Sequence, residues 1–235
     1  MTDVDKNLRC KAEDVVHNAI IEVARLFHEN PFFFINEESF RCMLYTKISQ
    51  HYTEPVYYKK IPSNEIFLSS PLHANPCIHG ISKKDFPDLM LYFIHDNEDA
   101  PILTTHRISH SKKTANTKYR RKVWFHPKNI DGDTSANKRI IIELKYNKNF
   151  KRLSRKKLEK VKEDIRKTSH WDAARCYIVH FDRSNLLNED KQASLNDVLS
   201  ENGGIIDYIY AGYSPNQKGQ NIHIQDGMLS TECIM

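Results

Sequence analysis

The sequence predicts an α/β fold: a central mixed β-sheet flanked by helices, with a basic insertion between two core strands. Three observations lead there. Residues 88–94 (DLMLYFI) and 139–145 (RIIIELK) are short apolar runs, hydrophobic on both alternating faces, as expected of strands covered on both sides. Between them lies a stretch crowded with Lys and Arg. Beyond the second run, helical and strand patterns alternate, as they do in layered α/β architectures.

Taken in order, Val16, Ile20, Val23 and Phe27 recur at helical spacing and predict an amphipathic helix over 12–29. A second helix follows PFFFIN, with Asn36 placed to cap it and Phe40, Leu44 and Ile48 on one face. Residues 51–84 are rich in Pro, Ser and Tyr and predict only short, irregular strands. After Lys145, the residues Leu158, Val161 and Ile165 mark one face of a strongly basic helix. A strand at 173–181 (AARCYIVHF), a helix around 195–199 and a strand at 204–213 (GIIDYIYAGY) complete the pattern.

A chain of 235 residues fits one domain, because a single core serves up to roughly 250 residues. Its expected parts are N-terminal helices at 12–50, a core at 76–181 holding the insertion 96–138, and a C-terminal extension at 189–235. The polar opening carries no apolar stretch suited to a secretory signal, and no run approaches the ~18 residues that span a membrane. A cytoplasmic protein without a membrane partner is therefore expected. The five cysteines are odd in number, widely spaced and free of any C-x-x-C pair, so reduced thiols are expected rather than a disulfide framework or zinc ribbon.

The net charge of +5 is modest, but its distribution is uneven. Residues 104–128 hold eight Lys or Arg and no acid, and residues 145–168 hold eleven against three acids. Such clusters suit a polyphosphate partner. In the first, Lys112, Lys113, Lys118, Arg120, Arg121 and Lys122 lie close to Trp124 and Phe125, which offers phosphate contacts beside a stacking surface.

Strand side chains alternate with period two, so Glu143 and Lys145 project from one face while Ile142 and Leu144 point into the core behind them. If the strands at 88–94 and 139–145 pair antiparallel, Asp88 meets Glu143 and Lys145 at one edge of the sheet. Two carboxylates brought together repel unless a cation lies between them, and hard oxygen donors with open positions suit Mg²⁺. A metal so held activates water and stabilises charge at phosphorus, with Lys145 orienting the water or neutralising the phosphate. The chemistry expected is phosphodiester hydrolysis.

These residues resemble the PD-(D/E)XK, or restriction-endonuclease-like, superfamily. The chain supplies a literal Pro87-Asp88 at a strand start and Glu143-Leu144-Lys145 at a strand end, followed by a helix and another strand. The resemblance covers roughly residues 35–181 and implies a restriction-endonuclease-like core. It implies Asp88 and Glu143 as metal ligands, the Leu144 carbonyl as a third, and Lys145 as catalytic. The family often carries a glutamate early in the preceding helix, and Glu37 matches that spacing better than Glu38. Mg²⁺ is the expected cofactor, with Mn²⁺ as the alternative ion. DNA is the expected substrate, in the manner of restriction or defence endonucleases, and such enzymes often act as homodimers. Two other readings stand beside this one: a non-cleaving nucleic-acid-binding module of a larger complex, and a structure-specific nuclease of repair or recombination.

A second E-x-K match, Glu189 to Lys191, lies in a polar stretch with no strand pattern around it. No G-x-S-x-G elbow or Walker-type loop is present, so neither a serine hydrolase nor a built-in nucleotide cofactor is expected. Replacing Lys118, Arg120, Arg121 and Lys122 by alanine is expected to flatten the salt dependence of DNA binding by roughly one unit of slope for each phosphate left unneutralised. Titration in Ca²⁺ across a salt series measures this; an unchanged slope would assign the stretch to a solvated loop or a protein partner and make the basic helix after Lys145 the better candidate.

Overall fold

The computed structural model describes residues 3–61, 65–78, 86–93, 102–108, 120–125, 139–148, 155–168, 171, 173–183, 189–201, 205–212 and 222–225. Helix α1 (Asp3–Glu29) leads into α2 (Glu37–His51). Strands β1 (Val56–Ile61), β2 (Glu65–Ser69), β3 (Leu72–Ala74), β4 (Cys77–Ile78) and β5 (Leu89–Tyr92) follow, then β6 (Ile102–Ile108), β7 (Arg120–Phe125) and β8 (Arg139–Asn147). The last elements are α3 (Arg155–Thr168), β9 (Arg175–Asp182), α4 (Glu189–Ser200), β10 (Ile206–Gly212) and β11 (Ile222–Gln225).

The fold is mixed α/β. Its central sheet has six strands in the order β11-β10-β9-β8-β5-β3. Strands β8, β9 and β10 run parallel, joined by crossovers that contain α3 and α4, while β5 pairs antiparallel with β8. The alternation of side chains sorts this sheet into two faces. Ile140, Ile142 and Leu144 of β8, with Leu89 and Leu91 of β5, pack against Val16, Ile20, Val23, Phe27, Phe40 and Leu44 of α1 and α2. On the other face, Ile141 and Met90 join Leu158, Val161 and Ile165 of α3 and Leu195 and Val198 of α4. Each fully buried aliphatic side chain contributes about 1.5–3 kcal/mol.

Helix α1 begins at Asp3, well before the apolar periodicity at Ala12. Its polar first turns are held by Arg9, which pairs with Glu13 at 2.7 Å and donates to the Ala174 carbonyl at 3.1 Å, while Leu8 packs on the core. Helix α2 starts as its sequence predicts, with the Asn36 side chain accepting from Ser39 N–H at 3.0 Å. The short strands expected at 51–84 are there, but they do more than decorate the core. While β3 joins the edge of the central sheet, β1, β2 and β4 form with β6 and β7 of the basic insertion a second sheet of five strands, ordered β2-β1-β6-β7-β4. Its β1 is fixed to the central layer by buried Val56 and Tyr58, the latter donating to the Ser70 carbonyl at 2.9 Å and lying edge-on to Tyr92. His106 lies in strand β6.

Among the described residues, no helix is long and apolar enough to cross a membrane. Cys10, Cys42 and Cys176 are free thiols. Phe40 of α2 is stacked between Phe34, with ring centroids 4.1 Å apart, and Phe181 of β9, at 3.9 Å. This stack fastens α2 to the sheet. Phe40→Ala is expected to destabilise the fold by about 3–5 kcal/mol, measured as the shift in urea unfolding free energy. A loss under about 1 kcal/mol would mean the neighbouring rings close the gap without help.

Candidate active site

The antiparallel register of β5 and β8 pairs Leu89 with Ile142, so Asp88, on the bend just before β5, falls opposite Glu143. Asp88 is buried, and its Oδ2 accepts from Leu144 N–H at 2.8 Å. That bond presses the carboxylate against the strand end that carries Glu143 and Lys145. Pro87 precedes it with no N–H to place, and the Asp88 carbonyl accepts from Asn75 N–H at 2.9 Å. Asn75 has a φ of 45°, a left-handed conformation that asparagine tolerates better than most residues.

Glu143 and Lys145 share one face of β8, as the alternation predicts. Lys145 Nζ donates to Glu143 Oε1 at 2.6 Å and reaches Asp164 Oδ2 of α3 at 3.2 Å. Glu143 Oε2 is buried and has no hydrogen-bond partner. Burial, with Asp88 and Asp164 adding to it against the pull of Lys145, raises the Glu143 carboxyl to about 7. Burial also raises Asp88, opposed by the Leu144 N–H, Arg41 and Lys145. For Lys145 burial acts downward, but Glu143 and Asp164 together outweigh it and hold the ammonium above its ordinary value.

Glu37, in the first turn of α2, is open to solvent at the mouth of this cluster. Its carboxyl is nonetheless raised, by desolvation first and by Asp88 second, while Lys145, Arg41 and Lys160 act the other way. Asp88, Glu143, Lys145 and Glu37 therefore share one electrostatic cluster. Leu144 is fully buried and enters it through its backbone. Lys112, Lys113 and Lys118 lie outside the described residues; Arg120, Arg121 and Lys122 lie on β7, in the second sheet. The second E-x-K match falls in the first turn of α4, on a helix where Glu189 and Lys191 do not share a strand face.

Two residues of the cluster are absent from the motif. Arg41, one turn after Glu37, donates to Asp88 Oδ1 at 2.9 Å and also contacts Asn75 and Glu38. Its sequence signal is only the i, i+4 spacing that puts it on the same helix face as Glu37. Asp164 has a clearer one. It is the acid that lies three residues after Val161 and beside Ile165, on the buried face of a helix rich in Lys and Arg.

The donor set suits a hard cation. Asp88 and Glu143 supply carboxylate oxygens, and Glu143 Oε2 is a buried acceptor that lacks a hydrogen. Among the described residues no three His, Cys, Asp or Glu side chains converge as a metal cage. Mg²⁺ needs no such cage, because it is commonly bound by one or two carboxylates with water and substrate phosphate completing the shell. No protein-family model, curated protein sequence or solved structure matches the chain. The functional argument therefore rests on these residues.

Beyond Lys145 the same face of the sheet continues as a buried polar network. His180 Nδ1 lies 2.8 Å from the Tyr208 hydroxyl, and Asp182 accepts from Asn147 Nδ2 at 3.0 Å and from the Tyr210 hydroxyl at 3.1 Å. Burial lowers His180 to about 4 against an ordinary 6.5, with Lys145 and Lys157 acting the same way and Asp182 opposing. A folded pKa below the unfolded one means stability that is fully present above pH 6.5 and is lost as pH falls through 4. His180→Gln removes that dependence. Urea unfolding across this range is expected to show wild-type stability falling more steeply on acidification than the variant's; parallel curves would place a neutralising partner on the ring.

Proposed function

We propose that the chain is a divalent-metal-dependent nuclease that hydrolyses DNA phosphodiester bonds, of the restriction or defence kind. The observation that carries this reading is the meeting of Asp88 with the strand end of Glu143 and Lys145, fixed by the bond from Leu144 N–H. Paired acids beside a basic surface make little sense for phosphate binding alone, because carboxylates repel phosphate unless a cation intervenes.

Asp88 and Glu143 would hold Mg²⁺, with the Leu144 carbonyl as a further ligand by resemblance and Glu37 acting from the mouth of the site. The ion would supply an activated water and neutralise charge on the phosphate. Lys145 has a distinct part. Held between Glu143 and Asp164, its ammonium keeps its proton near neutral pH, so it serves as a fixed cation and hydrogen-bond donor rather than as a general base. Asp164 positions it from the α3 side.

Two basic surfaces favour a nucleic-acid substrate. Arg155, Lys156 and Lys160 are exposed on α3, and Lys160 bears electrostatically on Glu37. In the second sheet, the register sets Arg121 opposite Arg107 and Lys122 opposite His106. One observation favours the second reading, a non-cleaving binding module: Arg41 and Lys145 already furnish cations to both carboxylates.

The deciding experiment is incubation of the protein with plasmid, with and without Mg²⁺. Asp88→Ala, Glu143→Ala and Lys145→Ala are each expected to lower cleavage by about 10²-fold or more while the thermal transition persists. Metal-dependent cleavage that survives all three substitutions would overturn the reading, and binding without cleavage in Mg²⁺ or Mn²⁺ would select the non-cleaving module. Glu37→Gln is expected to cost about 10- to 100-fold, the scale of a residue acting on the metal through water. Full activity in that variant would leave Glu37 a helix-terminus acid, favoured by the helix dipole alone.

A further inference from the structure

The segment between α1 and α2 exposes three large apolar side chains around buried Phe34: Phe32 is 65% exposed, Phe33 67% and Ile35 75%. Their backbone is tied down from several directions. Arg183, just after β9, donates to the Pro31 carbonyl from Nε and Nη2 at 3.1 and 3.0 Å, and from Nη2 to the Phe34 carbonyl at 2.9 Å. The Tyr146 hydroxyl, one residue beyond Lys145, donates to the same Phe34 carbonyl at 2.9 Å. Phe33 N–H closes a turn onto the Asn30 carbonyl at 3.0 Å, and Phe34 is buried in the ring stack under Phe40. Apolar side chains presented on a braced backbone mark a binding surface more than a loose loop.

A cavity of about 580 Å³ opens here, lined by apolar Leu26, Met43, Phe32 and Phe33 and by polar Glu29 and Asn30. The segment leads within two residues into Glu37, whose carboxyl senses Asp88 and Lys145. The Arg183 guanidinium lies over one face of the Phe32 ring, 5.0 Å from its centroid, and brings positive charge to that side while the other face is the one a ligand can meet.

We propose that this loop is a binding site for an unpaired nucleobase of the strand whose backbone engages the candidate active site, with Phe32 and Phe33 as its stacking surfaces. The proposal rests on the nucleic-acid reading above. Every base offers a π-face to an aromatic ring whatever its identity, and the Glu29 carboxylate and Asn30 amide can meet amino and carbonyl groups on its edge. Charge complementarity favours this occupant: Arg183 at the Phe32 ring, and Lys160, which bears on Glu37 two residues beyond the loop, offer cations to the phosphates of a stacked nucleotide. Bases inside a duplex already have both faces covered, so the site takes a base that is single-stranded, frayed or flipped out.

The test uses the full chain in Ca²⁺ without Mg²⁺, with a single-stranded oligonucleotide carrying 2-aminopurine and with its blunt duplex. Stacking is expected to quench the probe in the single strand on wild-type protein. A Phe32→Ala, Phe33→Ala double variant should lose the quench and bind the single strand about 5- to 100-fold more weakly, the range of one base–aromatic stack, with duplex affinity unchanged. Phe32→Tyr with Phe33→Tyr should restore both. Equal affinity and quenching in the alanine variant would overturn the proposal. So would a wild-type dimer that the alanine variant converts to monomer with nucleic-acid binding intact, because the rings would then be a self-association face. Cleavage in Mg²⁺ that depends on Asp88 but not on Phe32 and Phe33 would sink the base site and leave the nuclease reading standing. Probe quenching without cleavage would do the reverse.

Discussion

The bond from Leu144 N–H to Asp88 Oδ2 joins two parts of the chain that are 56 residues apart in sequence. Much of the candidate site hangs on it. It uses a donor that β8 has to place somewhere as its pairing with β5 ends at Ile142, and so it meets the backbone's own need while it fixes an acid. With Asp88 set, Glu143 faces a second negative charge in a dry place. Lys145 and Arg41 then follow as the counter-charges that such an arrangement requires, with Asp164 holding Lys145 from the α3 side.

The sheet separates two chemistries by parity. One side of β8 is wholly apolar through Ile140, Ile142 and Leu144 and is closed by α1 and α2. The other carries buried Arg139 and then apolar Ile141, and is polar again at Glu143, Lys145 and Asn147, with His180 and Asp182 beside them on β9. The change falls toward the carboxyl ends of the parallel strands, where open α/β sheets bind ligands. The hydroxyls of Tyr208 and Tyr210 and the amide of Asn147 partner His180 and Asp182, while Glu143 Oε2 is left as a buried acceptor.

Much of this arrangement was legible in the sequence because it depends on periodicity. Alternation along β8 places Glu143 and Lys145 together, and the antiparallel pairing with β5 brings Asp88 to them. Asn36 as a cap and Phe40, Leu44 and Ile48 as a buried face were readable for the same reason. What stayed hidden depends on contacts between distant segments. Nothing near Arg41 announces Asp88 as its partner, and the aromatic loop reads as a plain apolar run until Arg183 is seen to hold its carbonyls. The second sheet was hidden because β1 and β6 pair across a long gap, with turn-rich sequence that gives weak strand signals.

The pairing of β5 with β8 has a consequence for how the chain tolerates change. The two strands fasten the base of a long excursion, and the entropy of closing a flexible loop grows only with the logarithm of its length, about 0.6 kcal/mol per doubling. The sheet that frames the acids is therefore nearly indifferent to how much chain is threaded between them. The excursion also gives β6 and β7 to the second sheet, so changes of length are accommodated most easily outside those two strands, with the register of β5 on β8 left as it is.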